Sequence, residues 1–267
     1  MVARKPPIGA PPSPISVTSS FVFPTFRRLS AVMFVSSEDG REYELPPRNA
    51  TGVPMSDERL VLHGSFTSSS SYKPMLFLAL SGLPFSFRTV NLKNGVQKEA
   101  AHLAINRYGQ VPVLRHRGLT LVMSNVILDY LARTTGHFEP KTEQHRWQAR
   151  EWLSWENDAI TNVARVRHFA RFRPDVSQDI VNFFRPQAEA ALDFADKALA
   201  GREWLVGDAC SIADIGCWGR MVFAHEGGLS IDSRPNLAAW RDRIKALPGF
   251  ALPYDLIPKK DTEFEGR

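Results

Sequence analysis

From residue 59 onward the apolar positions fall into two successive regimes. Leu60, Val61 and Leu62, followed by His63 and Gly64, read as a short buried strand ending in a turn. Residues 65–71 are polar and read as a loop, and residues 72–81 read as a helix stopped by Gly82 and Pro84. A second strand is predicted over 85–92 and a loose helix over 97–105. A hairpin of 111–115 and 119–123 turns at Arg117–Gly118, and a helix over 124–133 closes the unit. The order β-α-β-α-β-β-α fits a small mixed sheet covered by helices. After Gly136 the strands stop. Trp152, Trp155, Ala159, Val166 and Ala170 recur at helical steps and predict one long amphipathic helix over 143–172. Ala188, Ala191, Leu192, Ala195 and Leu199 mark another, with Pro186 at its start or at a kink, and helices over 211–223 and 236–247 complete a bundle. The expected architecture is an α/β domain over 58–135, an all-α domain over 142–252 and a tail over 253–267.

Residues 1–57 follow neither pattern. Nine prolines, among them Pro6, Pro7, Pro11, Pro12 and Pro14, lie within residues 1–54 beside many Ser and Thr. Proline fixes φ and removes a backbone donor, so the segment reads as a disordered leader. The basic residues ahead of the apolar piece 31–35 resemble a targeting signal, but that piece is too short for a secretory segment. Met55, followed at once by folded-looking sequence, is a candidate start of translation.

Charge and cysteine content narrow the chemistry. The formal charge is +5 without any block of like charges, which argues against nucleic acid as a partner. No apolar run approaches the ~20 residues of a membrane helix. Two cysteines, Cys210 and Cys217, are too few for a disulfide framework or a thiolate metal cluster, and the seven histidines show no ligand spacing. A reducing, cytoplasmic setting without metal or membrane is the expectation.

Three stretches hold candidate chemistry. In Gln110-Val111-Pro112, a proline entering a strand needs a reason. It is either an ordinary edge-strand proline or a cis X-Pro bond that leaves the Val111 backbone free to pair with an extended peptide. Met123-Ser124-Asn125 opens a helix, whose unsatisfied N–H groups favour a docked carboxylate; Ser124 either donates to that anion, caps the helix, or does both. Residues 67–74, Thr-Ser-Ser-Ser-Ser-Tyr-Lys-Pro, place four hydroxyls between the first strand and first helix. They are either hydroxyl donors or a plain serine-rich turn. A fourth stretch, Ser211-Ile212-Ala213-Asp214, is a capping-box pattern with Cys210 and Ile215 as its hydrophobic staple, and is a folding element.

Taken together, Gly82-Leu83-Pro84-Phe85, Gln110-Val111-Pro112, Ser124-Asn125-x-Ile127-x-x-Tyr130-Leu131, Gly207-Asp208-x-x-Ser211-Ile212-Ala213-Asp214 and Pro235-Asn236-Leu237-x-x-Trp240 resemble the glutathione transferase superfamily, of the cytosolic, serine-type, bacterial-like kind. The resemblance spans residues 58–250. It implies a thioredoxin-like glutathione-binding domain, an all-helical domain that walls a second-substrate pocket, and a homodimer. Glutathione would be the co-substrate and a small apolar electrophile its partner, in a detoxification-type conjugation.

By that resemblance Gln110, Val111, Pro112, Met123 and Ser124 bind glutathione. Ser68 is the first candidate to hold the thiolate, with Ser69 and Ser70 next and Tyr72 a weaker choice. Met123 stands where the family usually carries Glu or Gln. Trp155, Arg165 and His168 are candidate contributors to the second pocket. The absence of Cys from the serine stretch argues against disulfide-exchanging relatives. Two further readings use the same fold: an isomerase of small cis-dienoic acids, for which Lys73 or Arg165 would supply the cation, and a non-catalytic binding protein.

Overall fold

The computed structural model describes residues 35–36, 42–43 and 59–256. The chain divides into two compact units, 1–46 and 47–267. In the first, strands β1 (Val35–Ser36) and β2 (Glu42–Tyr43) pair antiparallel, Val35 opposite Tyr43. The sequence predicted no element there. The rest of the leader, Met55 included, and residues 257–267 of the expected tail lie outside the described residues.

The second unit opens with a four-stranded mixed sheet in the order β4-β3-β5-β6. Strand β3 (Leu60–Gly64) pairs parallel with β4 (Phe85–Thr89) and antiparallel with β5 (Val113–His116), which turns back as β6 (Leu119–Val122). The hairpin turns at Arg117 and Gly118, both at positive φ. A right-handed crossover through helix α1 (Ser69–Ser81) is what a parallel β3–β4 pair requires. Gly82, at φ 65°, ends α1 in the left-handed conformation that glycine adopts without Cβ strain. Between β4 and β5 lie a 3-10 turn (Val96–Lys98) and helix α2 (Ala100–Ile105), where the sequence predicted one loose helix. Helix α3 (Ser124–Thr135) follows β6.

Helix α1 begins three residues earlier than predicted. Ser68 caps it, its side chain accepting from the Ser71 N–H, so Ser69, Ser70 and Ser71 belong to the first turn rather than to a loop. The predicted long helix over 143–172 is three pieces: α4 (Glu143–Trp155), a π-helical turn (Glu156–Ile160) and α5 (Thr161–Phe172). Helix α6 (Gln178–Ala198) holds Pro186 in its interior. Helix α7 (Ile212–Met221) starts at the capping box read from sequence, with both reciprocal bonds made by Ser211 and Asp214. Helix α8 (Pro235–Lys245) and the short α9 (Pro253–Leu256) end the described chain.

One hydrophobic core runs through both halves of this unit. Tyr72, Met75, Leu76, Phe77 and Leu78 of α1 are buried together with Ile127 and Leu128 of α3 and Ile215 and Met221 of α7. The close approach of α1 and α7 depends on Gly219, because a Cβ there would lie 2.5 Å from Lys73 Cγ. Among the described residues, no helix is long and apolar enough to cross a membrane, and no His/Cys/Asp/Glu group could hold a metal ion.

Candidate functional site

A cleft of about 720 Å³ gathers residues from both halves of the second unit. One wall is the sheet-bearing half: Ser68 and Ser70 at the start of α1, Gln97 and Lys98, the turn Gly109–Pro112, and Met123 with Ser124 at the start of α3. The other wall carries Asn157, Thr161 and His168 from the π turn and α5, and Arg220 from α7.

The turn before β5 is held from behind. The Gln110 carbonyl accepts from Asn106 Nδ2 at 2.8 Å and from the ring of buried His102 at 2.8 Å. The Val111–Pro112 peptide is cis. Neither His102 nor Asn106 stood out in the sequence, since nothing local marks a side chain that braces a carbonyl four or eight residues on. Gln97 Oε1 is buried at the cleft without a hydrogen-bond partner, an acceptor ready for an incoming N–H.

Ser124 is the first residue of α3, not its cap. The cap position belongs to Met123, at φ 70° and with no side-chain bond. A left-handed backbone costs a non-glycine residue about 1–3 kcal/mol and clusters at functional sites. The first N–H groups of α3 keep no side-chain cap, and Ser124, which is 7% exposed, faces the cleft among them.

The serine stretch divides by burial. Ser68 and Ser70 line the cleft, whereas Ser69 is buried away from it. Ser71 is fully buried and its Oγ accepts from the Ser65 N–H at 3.1 Å. Tyr72 packs in the core and donates to the Ala251 carbonyl at 2.7 Å; burial pushes its phenol well above the ordinary range.

Beneath Ser70 lies a charge cluster that sequence reading missed. Lys73 Nζ and Arg220 Nε each lie 2.5 Å from a different oxygen of Glu156. Asn125 completes it, accepting from Lys73 at 3.0 Å and donating to Glu156 at 2.8 Å. Arg220 Nη1 donates to Ser70 Oγ at 2.9 Å. Burial, then the Arg220 charge, pushes the Lys73 ammonium below the ordinary lysine range against the pull of Glu156. Burial alone would raise Glu156, and the two cations more than offset it, holding its carboxyl low. Lys73 is fully buried and does not reach the cleft as a free cation.

A second bracket reaches the same turn. Arg167 of α5 donates to the Thr67 carbonyl at 2.8 Å, to Glu226 at 2.7 Å and to the Tyr254 hydroxyl at 3.3 Å, and lies over the Phe223 ring. Of the predicted second-pocket residues, His168 lines the cleft, and burial with the nearby Arg173 and Arg167 charges lowers its pKa. Trp155 and Arg165 do not line it. They border a different hollow with Phe194 and Gln187, where Arg165 donates to Asn162 and lies over the Phe184 ring. Arg165 and His168 lie three residues apart on α5, yet the helix divides them between the two hollows.

A small mixed sheet followed by a helical bundle, with a cleft between a cis-proline turn and a helix start, defines a two-domain fold of the glutathione transferase type. The N-terminal domain family of glutathione S-transferases matches residues 58–133, and the C-terminal domain family matches residues 157–248. Human glutathione S-transferase theta-2B is 30% identical over 203 residues, covering 72% of this chain and 83% of the relative. The chain belongs to the glutathione S-transferase family.

Among solved structures, a glutathione S-transferase from Pseudomonas fluorescens is 30% identical with a TM-score of 0.69, over 73% of this chain and 98% of the other. A glutathione transferase from Burkholderia graminis, with two glutathione molecules bound per subunit, has a TM-score of 0.68 over 76% and 89% of the two chains. At 24% identity that likeness speaks for the fold.

Proposed function

We propose that the protein is a cytoplasmic, homodimeric glutathione transferase that joins the glutathione thiolate to a small apolar electrophile. The sulfur forms the new bond to carbon, and the leaving group departs with its electron pair. The observation that carries this reading is the meeting of Ser68, Val111, Pro112 and Ser124 around one cleft.

Ser68 accepts from the Ser71 N–H and keeps its own hydroxyl proton, which it donates to the thiolate. Lowering a thiol pKa from ~8.5 by ~2 units takes ~2.7 kcal/mol of preference for the anion, within reach of two charge-assisted hydrogen bonds. Ser124 and the first N–H groups of α3 receive the γ-glutamyl carboxylate. The Val111 backbone pairs with the peptide, Gln97 accepts from one of its N–H groups, and Lys98 faces a terminal carboxylate. Leu119 on β6, Val126 on α3 and Trp147 on α4 are exposed large hydrophobics, surface that a second copy would cover.

Retention on immobilised glutathione followed by an assay with a generic aryl halide tests the reading. Retention without turnover would favour a non-catalytic binding protein. Turnover of a cis-dienoic acid in place of the halide would favour the isomerase. Light scattering at micromolar concentration checks the dimer.

A further inference from the structure

Two cations share one carboxylate under the serine turn. The Lys73–Glu156 pair is fully buried and, with Asn125, already gives each partner hydrogen bonds. Arg220 adds a second positive charge to the same carboxylate, and its side chain is 11% exposed, reaching the cleft. Burying an extra charge beside a completed pair is costly, so cohesion alone is a poor account of it.

The direction of its remaining hydrogen bond supplies a better one. Arg220 Nη1 donates to Ser70 Oγ, so one lone pair of Ser70 is engaged and its proton is left for an acceptor in the cleft. A hydroxyl bound to a guanidinium is also polarised into a stronger donor. The cleft lining includes Lys98 and Arg220 and holds no Asp or Glu, so the local field favours an anion.

We propose that Arg220 is a positioning residue for the sulfur anion: it turns the Ser70 hydroxyl into the cleft as a second thiolate donor beside Ser68 and adds its own charge to the stabilisation. The proposal rests on the glutathione reading above.

The test uses the full chain as wild type, Arg220→Gln and Ser70→Ala. The ultraviolet absorbance of the thiolate of bound glutathione is titrated against pH, and binding of S-methylglutathione, which has no ionisable thiol, is measured in parallel. Arg220→Gln should raise the bound thiol pKa by about one unit, which from a value of about 6.5 leaves roughly threefold less thiolate at about pH 7, and Ser70→Ala by about half a unit. S-Methylglutathione affinity should stay within about twofold in both, because a ground-state contact is not what is lost.

Ser70→Ala leaves the buried ion cluster whole, so it decides the matter if Arg220→Gln melts. A thiol pKa unchanged in Ser70→Ala, or S-methylglutathione affinity falling in step with the thiol shift, overturns the proposal while leaving the transferase reading intact. A wild type that binds glutathione with its solution thiol pKa overturns both.

Discussion

The two walls of the cleft are built by different physics. The sheet-bearing wall is local: a serine at a helix start, a proline turn and a helix start, each a run of three or four residues whose backbone presents the chemistry. The helical wall is assembled at long range. Its Arg220 meets Ser70 across 150 positions and Glu156 across 64, and Arg167 meets Thr67 across 100. The first wall carries the groups proposed to bind glutathione, whereas the second carries charges that brace the turn presenting them. A wall of short motifs tolerates change between its parts, but a wall of paired charges fails when one partner is removed.

The largest expected effect falls on the helical side. Asp214 closes the capping box and also accepts from the Trp240 indole at 2.9 Å and the Leu205 N–H at 2.9 Å. Asp214→Ala should cost about 3–5 kcal/mol, read as a large fall in the denaturant midpoint, because several buried donors lose their acceptor together. A loss below about 1 kcal/mol would show that the cap alone matters there.

Next come the serines of the sheet-bearing wall, which should separate kinetically. Ser68→Ala should raise the bound thiol pKa by about 1–2 units and lower kcat. Ser124→Ala removes a contact present in both ground and transition states and should raise KM about tenfold with kcat nearly unchanged. Equal effects on both parameters in both variants would erase the distinction.

A smaller effect concerns acid. Burial would raise the Glu226 carboxyl, but Arg167, Tyr254 and Arg171 more than offset it, so its folded pKa is depressed. Its contribution to stability is therefore complete above the unfolded glutamate pKa of ~4.3 and disappears as pH falls through the lower folded value. Glu226→Gln should flatten that acid limb of the stability curve, and a wild-type-like limb would assign acid sensitivity elsewhere. The smallest effect is expected of Arg165→Gln, which borders the other hollow. Its kcat/KM for an aryl halide should stay within about twofold of wild type.

What the sequence discloses follows the same division. The capping box at Ser211–Asp214 is an i to i+3 pattern and could be read directly, as could the glycine stop at Gly82 and the order of strands and helices. The start of α1 could not. Four consecutive serines offer four equivalent caps, and the choice of Ser68 depends on Ser71 being taken by the Ser65 N–H in the folded chain. Lys73 looked like a free cation because nothing near it in sequence supplies its carboxylate. The apolar periodicity of 143–172 was real, yet it carried no mark of the π turn, nor of which face meets the cleft, and Trp155 and Arg165 turn to the other hollow.

That turn also bears on inheritance. A π-helical turn amounts to one residue more than the α-helical repeat accommodates, and one α-helical residue turns the helix by about 100°. Here it spans Glu156–Ile160, with Glu156 at its head and Asn157 on the cleft, and α5 with Thr161 and His168 follows at once. Because the wide turn absorbs that extra residue, loss of a single codon within it would restore an unbroken helix and leave the later side chains of α5 on their present bearing. Lineages with and without that residue would then show the same face of α5 to the serine turn and differ only within the turn itself, where Glu156 and Asn157 stand.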